Sequence, residues 1–119
     1  MKKIVWFSRH EPVQKQIDEL KRLFGPDVEV VQDPDPFSSA DDVVRRFRRL
    51  GGDEMVIVAP MSVIDQITRR GIRPLFAEMV LVNGDEDEYD VIANGRKYRF
   101  DRFVRIMRIE IVKEELRPL

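Results

Sequence analysis

The sequence predicts an α/β domain: three layers, with four mainly parallel strands, three helices and an appended β-hairpin. Three observations carry this. Apolar runs at Ile4–Phe7 and Met55–Ala59 suit strands covered on both faces. Segments with apolar residues at helical spacing follow the strands. The strand–helix order occurs three times, with short connections, before a fourth strand at Leu75–Val82. Such alternation predicts a parallel sheet with right-handed crossovers.

Each element has its own local reason. Pro12 fits the first turn of a helix, whose stripe is Val13, Ile17, Leu20 and Phe24, and Gly25-Pro26 stops it. Val28, Val30 and Val31 mark the second strand. Asp33-Pro34-Asp35-Pro36 can continue neither strand nor helix, so it is a rigid loop. Ser39 to Asp42 reads as a capping box with Asp in place of Glu. Val43, Val44, Phe47 and Leu50 form the second stripe, closed by Gly51-Gly52. Pro60 and Ser62 open a third helix carrying Val63, Ile64 and Ile67, which Gly71 ends.

The last third reads differently. Residues 83–88 are a polar acidic loop. Asp90–Ala93, Asn94-Gly95 and Arg96–Phe100 spell a two-residue hairpin. With Ala93 opposite Arg96, Val91 faces Tyr98, Tyr89 faces Phe100 and Asp90 faces Arg99. Ile106, Ile109, Ile111 and Val112 make Arg105–Val112 a β-rich segment, for which strand is favoured over helix. The whole reads as one domain, with a core at 1–83 and an extension at 84–119 that either adds an antiparallel edge to the sheet or mediates dimerisation.

Composition narrows the function. The chain has 119 residues, net charge −1 and no cysteine, which excludes disulfides, cysteine nucleophiles and thiolate metal sites. It fits a cytosolic protein. No apolar run is long enough for a membrane helix, and the opening apolar stretch is too short for an export signal. Charged residues make up 36%, above the usual quarter, as in thermophile proteins rich in ion pairs. No glycine-rich dinucleotide loop, Walker lysine loop or serine elbow is present. With one histidine, most zinc sites are excluded as well. No cofactor is expected.

In a parallel sheet, three connections share one rim: Ser8-Arg9-His10, Gln32 to Asp35, and Pro60-Met61-Ser62. That rim is where open α/β sheets bind ligands. Arg9 can grip a phosphate with two parallel hydrogen bonds. His10, the only histidine, can exchange a proton near neutral pH. Ser8 and Ser62 can bind further oxygens, and Asp33 can orient the imidazole or take a sugar hydroxyl. The plainer reading of the same residues is structural. His10 then caps or packs the first helix, Arg9 pairs with Glu11 or Asp33, Ser62 caps a helix, and Asp33 with Asp35 forms turns.

A second constellation is basic. Arg96, Lys97, Arg99, Arg102, Arg105 and Arg108 stand against the single acid Asp101, with Tyr98, Phe100 and Phe103 interleaved. Cations with aromatics can track a nucleic-acid backbone and stack bases. The preceding acidic loop can equally neutralise them.

The opening Ile4-Val5-Trp6-Phe7-Ser8-Arg9-His10-Glu11-Pro12, with Gln16 and Gly71-Ile72-Arg73-Pro74-Leu75-Phe76, resembles a group of small Rossmann-like proteins. In these the first strand ends in a polar residue and a histidine. Some are encoded near CRISPR loci, and a subset are ring nucleases that cleave cyclic oligoadenylates. The resemblance covers about the first 80 residues, leaves residues 84–119 without a counterpart, and implies that His10 and its neighbours face the ligand.

Two functional expectations result. One is a protein binding a nucleotide or phosphate-containing ligand, acting as a metal-independent phosphodiesterase with His10 transferring protons. The alternative is a non-enzymatic module that contacts nucleic acid through the basic hairpin, or assembles as a homodimer.

Overall fold

The computed structural model describes residues 1–84 and 88–119. The expected acidic loop falls partly on 85–87, outside the described residues. The order is β1 (Lys3–Phe7), α1 (Gln14–Phe24), β2 (Glu29–Asp33), α2 (Ala40–Arg49), β3 (Glu54–Ile57), α3 (Met61–Arg69), β4 (Leu75–Val82), β5 (Val91–Ala93) and β6 (Arg96–Arg105).

The α/β class and the three helices are as expected, but the sheet is not four-stranded. It is a mixed sheet of six strands in the order β2-β1-β3-β4-β6-β5. β1 pairs in parallel with β2 and β3. The parallel pairing of β3 with β4 is confined to Val56 opposite Leu75. β4 is twice as long as β3, and its remaining backbone groups need partners. β6 supplies them along all of Leu75–Val82, running antiparallel, with a bulge opposite Glu78/Met79. The hairpin is therefore integral to the sheet.

Strand β1 shows why its apolar run is continuous. Val5 and Phe7 enter a core with Val43, Val44 and Phe47 of α2 and Ile64 and Ile67 of α3. Ile4 and Trp6 point the other way, into a core with Leu20 of α1, Val56 and Leu75. Helices thus cover both faces, and a strand buried twice needs apolar residues at every position. Among the described residues, no helix is long and apolar enough to cross a membrane.

Other expectations need correction. Helix α1 starts at Gln14, with Val13 as its cap, so Pro12 lies before the first turn. Gln16 is buried because its Oε1 accepts the Val13 N–H at 3.0 Å. The hairpin register holds for Val91–Tyr98 and Ala93–Arg96. Asp90, however, does not meet Arg99. Its carboxylate takes the Phe100 N–H at 2.7 Å and lies 3.4 Å from Lys15 Nζ. Tyr89 lies outside the strand, under the Lys97 ammonium. Arg105–Val112 is not a strand: only Arg105 lies in the ladder, because the residue before its partner Leu75 is Pro74, which accepts the Ile106 N–H at 2.9 Å but has no N–H to return.

At the start of α2, Ser39 Oγ accepts the Asp42 N–H at 3.2 Å, one half of the expected box. The Asp42 carboxylate turns to Arg45 and Arg46. Burial pushes the Asp42 carboxyl up. The attraction and hydrogen bonds of Arg46, aided by the Ser38 N–H and by Arg45, outweigh this and hold it below the usual range. A group depressed in the folded state contributes stability above its unfolded pKa and loses it as pH falls through the folded value. The melting temperature should therefore fall on acidification below pH about 4. Asp42→Asn should flatten that part of the profile, as a series of thermal melts against pH would show.

Candidate functional site

Parallel pairing brings Phe7 level with Asp33 on one side and Ile57 on the other. One residue further along, Ser8, Pro34 and Val58 therefore emerge together on one rim. The connection from β1 leaves toward α1, on one face. Those from β2 and β3 leave toward α2 and α3, on the other. Where neighbouring strands send their connections to opposite faces, a crevice opens. Here it is an open cavity of about 490 Å³, lined by residues 7–10, 34–37 and Val58. That volume lies within the range of small-molecule sites.

The floor of the β1 turn is fastened from both sides. Trp6 Nε1 donates to the His10 carbonyl at 2.9 Å, and Gln32 Nε2 donates to the Ser8 carbonyl at 3.1 Å. Ser8 Oγ accepts the His10 N–H at 3.2 Å, which tightens the turn and leaves the Ser8 hydroxyl proton free to donate. With the main chain held in this way, the exposed Arg9 and His10 side chains stand at the cavity. Neither enters an ion pair or side-chain hydrogen bond among the described residues. Arg9 does not pair with Glu11 or Asp33.

The opposite wall is the Asp33–Phe37 loop. Asp33 Oδ1 accepts the Asp35 N–H at 3.2 Å and lies 3.6 Å from the Arg46 guanidinium. Arg46 also donates to the carbonyls of Asp35 and Pro36, at 3.0 and 2.7 Å. Asp33 thus shapes the wall and does not line the cavity. Phe37 packs onto the α2/α3 core and gives this side an apolar surface together with Pro34, Pro36 and Val58.

The site brings together Ser8, Arg9 and His10. Ser62 is exposed in the first turn of α3 and is not part of the lining. Sequence reasoning missed Phe37 and Val58. The available signal was register: the residue after each parallel strand shares the rim with the residue after its neighbours.

The basic constellation does not form one surface. Arg105 reaches Glu54 through both terminal nitrogens, at 2.8 and 3.3 Å. Arg102 binds Glu78 at 2.7 Å, which raises its pKa further. Lys97 covers Tyr89, while Arg96 and Arg99 are exposed. Phe100 is buried and Phe103 half-buried; their rings meet at a tilt of 55°, and Phe103 stands edge-on to Trp6.

Comparison with protein-family models, with curated proteins and with solved structures finds no match.

Proposed function

We propose that this rim binds a phosphate-containing ligand of nucleotide size, on a parallel half-sheet of Rossmann-like character. The observation that carries the reading is the pairing of two uncommitted cationic-capable side chains, Arg9 and His10, with an apolar wall across one cavity. The Arg9 fork suits two phosphate oxygens. The Ser8 hydroxyl is placed to bind a third. Pro34, Pro36, Phe37 and Val58 offer an apolar surface for a base.

On an RNA-type linkage the same groups support metal-independent cleavage. His10 takes the 2′-hydroxyl proton while the 2′-oxygen bonds to phosphorus. The phosphorus–5′-oxygen bond breaks, and the leaving oxygen is protonated by solvent. The products are a 2′,3′-cyclic phosphate and a free 5′-hydroxyl. Positioning for in-line attack supplies much of such a rate, so one acid–base group suffices. The β1 turn resembles that of a group of small Rossmann-like proteins, a subset of which are ring nucleases, and this favours cyclic oligoadenylates among the substrates.

The test is calorimetric titration with AMP and with a cyclic oligoadenylate, followed by cleavage assays in chelator. Hydrogen bonds to charged groups contribute about 1.5–3 kcal/mol, so Arg9→Ala should weaken binding by tenfold or more. His10→Ala should cut turnover at least tenfold with the circular dichroism spectrum unchanged. Equal affinity of wild type and Arg9→Ala would remove the phosphate reading. Unchanged turnover in His10→Ala would remove the catalytic one.

A further inference from the structure

The chain beyond β6 leaves the body of the molecule. Ile106 donates its N–H to Pro74 O at 2.9 Å, and Ile106 and Ile109 pack against the α2/α3 core. From Glu110 onward every residue is exposed and none is in a helix or strand. Ile111, Val112 and Leu116 show 83%, 90% and 88% of their surface. Single exposed apolar residues are ordinary, but three on one short uncovered segment mark an interaction site. The radius of gyration, 16.6 Å, exceeds the about 13.5 Å expected of a compact domain of this length.

A complementary surface lies on the second half of the sheet. Phe100 and Phe103 turn toward α1, so alternation about the bulge sends Lys97, Arg99 and Arg102 to the opposite face. Register adds Val80, opposite Arg99, and Ile92, opposite Lys97. On that side α2 and α3 pack over β1 and β3. Val80 and Ile92 remain 40% and 52% exposed. This face therefore carries apolar residues with the cations Lys97 and Arg99 among them, while Arg102 is shared with Glu78, its neighbour on the same face. Segment 110–119 places Ile111, Val112 and Leu116 among three carboxylates, Glu110, Glu114 and Glu115, and two cations, Lys113 and Arg117, so it is net acidic. The segment is net acidic and the face net basic, and the same chain leaves both open at once.

We propose that segment 110–119 docks on this face of a second copy, and that the exchange is reciprocal. A two-fold arrangement uses the same two surfaces twice and closes, so neither stays exposed. This inference is independent of the ligand proposed at the strand ends.

Sedimentation equilibrium of the full chain tests it. The wild type should show twice the chain mass. Ile111→Asp, Val112→Asp and Leu116→Asp combined should halve the observed mass without changing the circular dichroism spectrum, since all three side chains are exposed within one copy. Arg99→Glu with Arg102→Glu should do the same, and adding Glu114→Arg with Glu115→Arg should restore the dimer. That rescue separates direct pairing from general damage. A wild type that stays monomeric at the highest attainable concentration overturns the proposal, and so does a dimer that survives the triple substitution. A monomer that holds a single-stranded oligonucleotide through Arg99 and Arg102 also overturns it and assigns the face to nucleic acid.

Discussion

Alanine at Gly52 is expected to destabilise the fold by about 1–3 kcal/mol through overpacking, whereas alanine at the adjacent Gly51 should cost about 1–2 kcal/mol through backbone strain. The two glycines end the same helix for unrelated reasons. Gly51 has φ +70° and open space where a Cβ would sit. Its requirement is the left-handed conformation, so Asn, which tolerates that region, should be nearly neutral there. Gly52 has no positive φ. A Cβ on it would lie 2.4 and 2.6 Å from Phe47 Cε1 and Cδ1 and 2.8 Å from Val5 Cγ2. Phe47 and Val5 are both buried, and the stiff ring and the strand side chain must shift to admit a methyl group. Urea denaturation of the two alanine variants checks the values. The mechanism is checked by combining Gly52→Ala with Phe47→Leu. Removing the ring edge should make the pair less costly than the sum of the singles. Strict additivity would show that the contact is not the cause.

That pair also shows what a sequence can and cannot disclose. Gly51-Gly52 is legible as a helix stop because left-handed caps are a local matter. The close approach at Gly52 is invisible, because Val5 meets it only through the tertiary fold. The same division runs through the molecule. Ile4–Phe7 is readable as a doubly covered strand because burial on two faces demands an apolar residue at every step. Arg105–Val112 is misread because β-rich composition does not supply a partner, and the ladder ends where β4 begins. Asp90 is misplaced because its carboxylate finds the Phe100 N–H, a closer partner than any cross-strand arginine. In the site, Ser8, Arg9 and His10 follow from their place after an apolar run. Phe37 and Val58 join them only through the register of three strands. Asp33 has the right location for a ligand group, but Arg46, thirteen residues on, engages it. The basic run at 96–108 looks like one patch in sequence because the eye does not alternate. The pleat divides it between faces, and Glu54 and Glu78 neutralise two of its arginines.

Arg46→Met should couple stability to ligand binding more strongly than any other substitution on α2. The Arg46 side chain is 15% exposed, against 70% for its neighbour Arg45. Its fork meets Asp42 at 2.7 Å while also holding the carbonyls of Asp35 and Pro36. Charge-assisted hydrogen bonds in such a setting contribute about 1.5–3 kcal/mol, so the denaturation midpoint should drop accordingly. Arg45→Ala should cost about 0–1 kcal/mol, as exposed ion pairs do. The functional consequence follows from where the carbonyls are. Pro34 and Pro36 stiffen the wall loop internally, yet among the described residues only Arg46 ties its carbonyls to α2. Without that tie the wall is free to shift against the fastened β1 turn, and affinity for AMP should fall about tenfold, the equivalent of roughly 1.4 kcal/mol. Arg46→Lys keeps the charge and loses the fork, so it should fall between. Calorimetry and denaturation on the same three variants decide the matter. Should Arg46→Met match Arg45→Ala in both measurements, the loop stands without its guanidinium anchor and the cavity wall owes its shape to the prolines alone.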